Sequence, residues 1–394
     1  MPSIESVEGL SVTGRSINEP QSIHKPYFKN LDGLRFLAAF IVICNHAFFI
    51  RKTNIYLLDQ IIFLLTKGAY GVQFFFVLSG FLITYLLFDE EDRRNIINIK
   101  KFYIRRIFRI WPLYYTIVIL GFVIIPPIVT RFNPAYHHIL ITTGATYVVF
   151  FLANYGDIIH NLKHLKDGNY ILATIWSVSI EEQFYLIWPI LFVLFRKARP
   201  YLFLVVIAIS IFYKYYILAP NNTKMYLDSI ANFHFLALGG LLAWAMYYKT
   251  KAYHFVCNMP KALTVTIYIL GMGSLVWRDD IVKATGELAG LITALFFAFV
   301  IAEQSFNCNR VFNMGRAFFS KWGKYTYAMY MIHPSVILFL EWIVKSAKIW
   351  NPKSYSFNLL YFSGCLIFTI LLSICSYYIL ERPFLILKNK YFES

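Results

Sequence analysis

The stretch "LDGLRFLAAFIVICNHAFFI", residues 31–50, decides how the chain is read. It is long and apolar enough to enter a bilayer, whose hydrocarbon core takes roughly 20 helical residues to cross. Yet it carries Asp32 and Arg35 near one end and His46 near the other. Ionisable side chains are costly inside a membrane and mark sites more often than packing. At about 100° per residue, Arg35 and His46 fall within roughly 20° of one helix face, about 16 Å apart along the axis. Asp32 lies about 40° from His46 by the same arithmetic. The first span therefore has a polar face at depth, which suits the lining of a cavity.

The rest of the chain repeats the pattern of long apolar runs. They recur near 33–50, 69–88, 111–129, 183–196, 201–218, 233–248, 262–277, 285–303, 324–343 and 357–380, with a shorter one at 139–153. Of 394 residues, 58% are hydrophobic and only 15% charged, too apolar for an ordinary soluble domain. The expected fold is all-α, a polytopic membrane bundle of about ten transmembrane helices. The formal charge of +16 gathers at span ends, which argues against nucleic-acid binding. The five cysteines lack metal-ligand spacing and three lie in apolar runs, so neither a disulfide framework nor a metal site is expected.

Orientation follows from lysine and arginine placement. "DEEDRRNIINIKKFYIRRIFRIW", residues 89–111, holds seven of them and is assigned to the cytoplasm. With both termini inside, roughly two-thirds of all Lys and Arg fall on that side. A full crossing at 139–153 would invert every later loop, so that segment is read as re-entrant or interfacial. The organisation is then a flexible cytoplasmic tail at 1–30, without a signal-peptide pattern, one membrane domain at 31–385, and a cytoplasmic tail at 386–394.

Several polar residues stand where chemistry is possible. Histidine exchanges protons near neutral pH, which makes His46 a candidate base, against the alternative of a histidine hydrogen-bonded to a neighbouring helix. In "TIWSVSIEEQFYLIWP", residues 174–189, Glu181 and Glu182 diverge by about 100°. Glu181 aligns with Tyr185 and Trp188 on one face and would orient His46; Glu182 would face water or cap the helix. In "FYIRRIFRIWPLYY", residues 102–115, Arg105 and Arg109 share a face with Arg106 beside them, either as membrane anchors or as a phosphate clamp joined by Arg35. His333 lies mid-span, three residues after Tyr330 and just before Pro334. In "GVQFFFVLSGFLIT", residues 71–84, the small residues suit helix packing and Gln73 is a weaker ligand candidate. No P-loop, HExxH, GxSxG or GxGxxG motif supports ATP-driven transport, zinc hydrolysis or serine hydrolysis.

Taken in order, Arg35 with His46, "GVQFFFVLSGFLIT", "RRIFRIWPLYY", "WSVSIEEQFYLIWP", "YMIHPS" and the terminal "ERPF" resemble the acyltransferase 3 family of integral membrane acyltransferases, from about 28 to 385. The chain is similar to the stand-alone form, without the extracytoplasmic hydrolase-like domain that many members carry. The resemblance implies an O-acyltransferase taking an acyl group, acetyl above all, from cytoplasmic acyl-CoA to a sugar hydroxyl of a surface glycan or its lipid-linked precursor. It implies that Arg35 and His46 are the family's paired functional residues, that Glu181 matches its glutamate and that Arg105, Arg106 and Arg109 match its basic cytoplasmic motif. On that footing His46 and Glu181 are expected to be catalytic, and Arg35, Arg105, Arg106 and Arg109 to bind the donor. Trp176, Tyr185, Tyr330, His333 and Gln73 are then the substrate-binding candidates, with Gln73 standing where many members have an acid. "ERPF" is read as structural. His46 would act as base or carry the acyl group itself. The expected partners are acyl-CoA, a glycan or lipid-linked sugar and membrane lipids, in a bacterial inner membrane; a homo-oligomer is compatible with all of this. A non-enzymatic transporter of a glycan or organic anion is the competing reading, and would need no acyl-CoA.

Overall fold

A computed structural model describes residues 27–50, 55–132, 144–162, 170–218, 222–286, 288–307 and 309–392, and every assigned element among them is helical. The principal helices are α1 (Lys29–Ala47), α2 (Tyr56–Leu65), α3 (Gly68–Arg94), α4 (Ile99–Ile119), α5 (Ile175–Leu194), α6 (Arg199–Phe212), α7 (Ser229–Tyr247), α8 (Lys261–Val276), α9 (Leu288–Phe306), α10 (Thr326–Ser346) and α11 (Tyr355–Ser376). The chain is a polytopic helical bundle. Eight helices among the described residues are long and apolar enough to cross a membrane, or nine if a bent pair counts as one span.

Two of the ten expected runs explain the difference. The run at 262–277 forms α8, but it meets the short helix Lys251–Cys257 at 103°, so the two are halves of a broken or re-entrant segment. The first run forms α1, which has spanning length at 19 residues but is made less apolar by Asp32, Arg35, Asn45 and His46. The described part of the 139–153 segment holds a five-residue helix, Ala145–Val149, a turn and the first residue of the helix Ala153–Leu162, and neither helix is long enough to cross. The segment is tied to the bundle where Tyr114 Oη donates to the Val148 carbonyl at 2.7 Å. Residues 1–26 of the expected N-terminal tail, 139–143 and the last two residues lie outside the described set.

The bundle is built around α3 and α7, which pack along most of their lengths. Small residues permit this. A Cβ on Gly80 would strike the Leu236 carbonyl oxygen, and one on Gly239 would strike that of Val77, so the two backbones touch. Without a hydrophobic driving force between helices in lipid, such close approach supplies the dispersion contact that holds them. The basic ends of the spans are secured by ion pairs. Glu91 on α3 takes Arg199 bidentately at 2.5 and 3.1 Å and Arg196 at 2.7 Å. Three π-helical turns follow α4, α6 and α11: Leu120–Ile124, Tyr213–Leu218 and Tyr377–Glu381. Such wide turns re-aim side chains and recur at functional sites.

Candidate active site

A cavity of about 860 Å³ opens among α1, α3, α4, α5, α10 and the π turn after α11. Its volume lies within the roughly 300–1,000 Å³ of small-molecule sites. Arg35, Arg106, Arg109, Glu181, Tyr185 and Tyr330 are among its lining residues.

Each cation reaches the cavity for a local reason. Arg35 follows Asp32 by one turn, and their ion pair of 2.7 Å holds the guanidinium against α1. Tyr27 donates to the other Asp32 oxygen, so this carboxylate is satisfied on both sides. Arg109 lies within electrostatic reach of both Arg35 and Arg106, so three like charges converge with one ion-paired carboxylate among them. Arg106 makes no ion pair among the described residues, and its Nε is buried without a hydrogen-bond partner. Its guanidinium stands 5.9 Å from the Tyr185 ring. A guanidinium carries five N–H donors in a fixed fork, so this cluster has donors in excess and suits an anion with several oxygens.

The structure divides the basic motif differently from the expected face. Arg106 and Arg109, three apart, line the cavity, whereas Arg105 turns to α3 and pairs with Glu90. Residues three and four apart both neighbour on a helix, so periodicity alone allows either pairing; the position of Glu90 decides it.

Glu181 and Tyr185, one turn apart on α5, form a hydrogen bond of 2.9 Å from Tyr185 Oη to Glu181 Oε2. The Ser79 hydroxyl lies 2.5 Å from the same phenol oxygen and donates to it when the phenol proton points to Glu181. The three groups make one chain across α3 and α5. Glu182 does not sit at the helix start facing water. α5 begins at Ile175, so Glu182 lies in its second turn, where Trp111 Nε1 donates to it at 3.3 Å.

His46 occupies the last turn of α1, exposed at the end of the bundle opposite the basic cluster. Its ring centroid lies 5.3 Å from that of His333, which is fully buried on α10. His333 Nδ1 is 3.2 Å from the Met329 carbonyl oxygen, which favours the tautomer with the proton on Nδ1. Its Nε2 is buried without a hydrogen-bond partner. Neither histidine lines the cavity, but Tyr330 does, and its ring is 6.0 Å from His333. Tyr330 and Ser177 join hydroxyls at 2.6 Å at that end. Glu181 is thus bonded to Tyr185, and the imidazole beside His46 is His333. Gln73 and Trp176 are buried and do not line the cavity, although Val72 and Ser177 beside them do; Trp176 packs on Tyr226 at 4.8 Å.

The cavity also contains residues that sequence reasoning passed over. Lys29, Lys321 and Lys324 line it, having been read only as charges that set orientation. Glu381, from the terminal "ERPF" read as structural, lines it too. Among the described residues, no group of three or more His, Cys, Asp or Glu could hold a metal ion.

Comparison with known proteins decides the family. The acyltransferase domain model, Acyl_transf_3, matches residues 28–378, nearly the whole described bundle. The chain belongs to the acyltransferase 3 family. Its similarity to curated members of that family is moderate. It is 31% identical over 179 residues to a peptidoglycan O-acetyltransferase, OatA, of Listeria monocytogenes serovar 1/2a, covering 44% of this chain and 25% of the relative. It is 27% identical over 330 residues to a putative O-acetyltransferase of Staphylococcus aureus strain COL, covering 80% and 51%. It is 26% identical over 365 residues to the O-acetyltransferase OatA of Staphylococcus aureus strain NCTC 8325, covering 90% and 52%. The chain therefore spans about half or less of the length of these relatives. No solved structure matches it.

Proposed function

We propose that this acyltransferase 3 protein is an O-acyltransferase, moving an acetyl group from acetyl-CoA to a sugar hydroxyl of a glycan or its lipid-linked precursor. The observation that carries the reading is the convergence of Arg35, Arg106 and Arg109 on one large cavity whose far end reaches Tyr330, one turn from His333 and beside His46. The names of the O-acetyltransferase relatives support the reaction class.

The donor enters from the basic end, which faces the cytoplasm. Its phosphates lie on Arg35, Arg106 and Arg109, and the arm bearing the thioester runs past Glu181 and Tyr185 toward Tyr330. The acceptor approaches from the opposite side, where His46 is exposed. A hydroxyl is a weak nucleophile until a base takes its proton, and His46 is that base. The oxygen attacks the thioester carbonyl, the C–S bond breaks, and the leaving thiolate takes the proton that His46 removed from the hydroxyl, which returns His46 to its neutral form. His333 orients His46 from behind. For thioester and hydroxyl to meet, Tyr330 must release Ser177 and swing aside, because its ring stands between the cavity and His333. This gives the arrangement a use: water is kept from the thioester until the acceptor is in place.

The test uses the full chain in inside-out and right-side-out vesicles with labelled acetyl-CoA, followed by mass spectrometry of the glycans. Label should enter glycan only when the donor is on the cytoplasmic side, and His46→Ala should abolish it. Glycan acylation at the wild-type rate by His46→Ala would remove the proposed base. Movement of a glycan without dependence on acetyl-CoA would replace the enzyme with a transporter.

A further inference from the structure

Three carboxylates line the cavity: Asp32, Glu181 and Glu381. Asp32 is held by Arg35 and Tyr27, and Glu181 accepts from Tyr185. Glu381 differs. The residue is only 7% exposed, and its Oε1 is buried with no hydrogen-bond partner among the described residues. Arg109 is within electrostatic reach but not within ion-pair distance. Glu182 and Glu303 also keep one buried oxygen without a partner among the described residues, but each accepts hydrogen bonds through its other oxygen and neither lines the cavity. Glu381 is thus the cavity carboxylate whose buried acceptor carries an uncompensated cost.

The backbone places Glu381 in the cavity wall. Glu381 is the last residue of the π turn Tyr377–Glu381 and precedes Arg382 and Pro383, which open the final helix. Tyr377 and Leu385 of the same stretch also line the cavity. The terminal torsion of a glutamate is soft, so either oxygen can be turned to a ligand.

Building on the donor reading above, we propose that Glu381 is a donor-binding residue that accepts a hydrogen bond from an amide N–H of the pantetheine arm of acyl-CoA. The arginines attract the phosphates, and a carboxylate repels them, so the part of the donor lying on Glu381 is neutral and bears N–H groups. Depth favours the arm over the adenine. Glu381 sits by Arg109, about 15 Å along α4 from its start at Ile99 at 1.5 Å per residue. The base lies nearer the mouth, among Lys29, Lys321 and Lys324, and the arm begins where Arg109 ends the phosphate site.

The experiment compares wild type, Glu381→Ala and Glu381→Gln, as full chains in nanodiscs. Three probes are titrated: acetyl-CoA, acetyl-pantetheine and the adenosine bisphosphate fragment of CoA. Glu381→Ala should weaken acetyl-CoA and acetyl-pantetheine about tenfold and leave the bisphosphate fragment unchanged. Glu381→Gln keeps a carbonyl oxygen at the same reach and should stay within about threefold of wild type. Should Glu381→Ala fail to fold, Glu381→Met, which fills similar space without an acceptor, carries the same expectation. Equal weakening of the bisphosphate fragment, tighter binding of every probe, or no change in any would each overturn the assignment. Wild-type protein that binds none of the probes would overturn the donor reading itself, a result distinct from an indifferent variant of a binding-competent protein.

Discussion

Replacing Arg106 with methionine separates ligand binding from protein stability. The side chain keeps similar length and loses its charge. No carboxylate among the described residues loses an ion-pair partner, because Arg106 forms no ion pair there and its buried Nε has no hydrogen-bond partner; Glu181 and Glu182 lose only a nearby positive charge. Removing one of three converging like charges also relieves repulsion from Arg109. The folded protein should therefore tolerate the change. The ligand should not. A hydrogen bond to a charged group contributes about 1.5–3 kcal/mol. At about 1.4 kcal/mol per tenfold, the KM for acetyl-CoA should rise about 10- to 100-fold. Because the phosphates are remote from the reacting carbonyl, kcat should stay within about twofold. Arg105→Met is the control. It strips Glu90, 9% exposed, of its partner, so it should lower the melting midpoint and leave KM alone. Initial rates with labelled acetyl-CoA in nanodiscs, beside thermal melts, measure both. An unchanged KM in Arg106→Met with a raised KM in Arg105→Met would refute the division of the arginine motif.

Other changes test other parts of the bundle. His333→Asn should lower kcat at least tenfold with the KM for acetyl-CoA unchanged, since His333 contacts His46 and not the cavity; a pure KM effect would move it to the donor site. Glu91→Ala leaves Arg199, 4% exposed, without its carboxylate and should destabilise the fold by about 3–5 kcal/mol, read as a loss of folded protein on size-exclusion chromatography. Gly239→Ala forces a methyl group onto the Val77 carbonyl and should cost about 1–3 kcal/mol, with activity falling in proportion to the folded fraction; a variant that melts like wild type would show the helices free to separate.

Local periodicity was enough for some of this arrangement. The spacing of Arg35 and His46 gave one helix with a polar side, and the spacing of Glu181 and Tyr185 gave neighbours that are bonded in the structure. Partner choice between helices was not legible. Arg105 and Arg106 are adjacent and chemically equal, and only the position of Glu90 on α3 sends one to an ion pair and the other to the cavity. The imidazole beside His46 comes from α10, nearly three hundred residues along the chain, which no helical wheel of α1 indicates. Glu381 escaped notice because a wide π turn re-aims it, and the sequence carries no strong signal for such turns. The first span is less apolar than the others because Asp32 and Arg35 on its polar side face protein and cavity and not lipid.

Gly80 and Gly239 have a consequence for how the machine works. Where two main chains touch, neither can slide without its carbonyls colliding, so α3 and α7 form a fixed post at the centre of the assembly. Ser79 is bolted to that post, and through it the phenol of Tyr185. Whatever shifts during a turnover must then be carried by the neighbours of this stationary pillar.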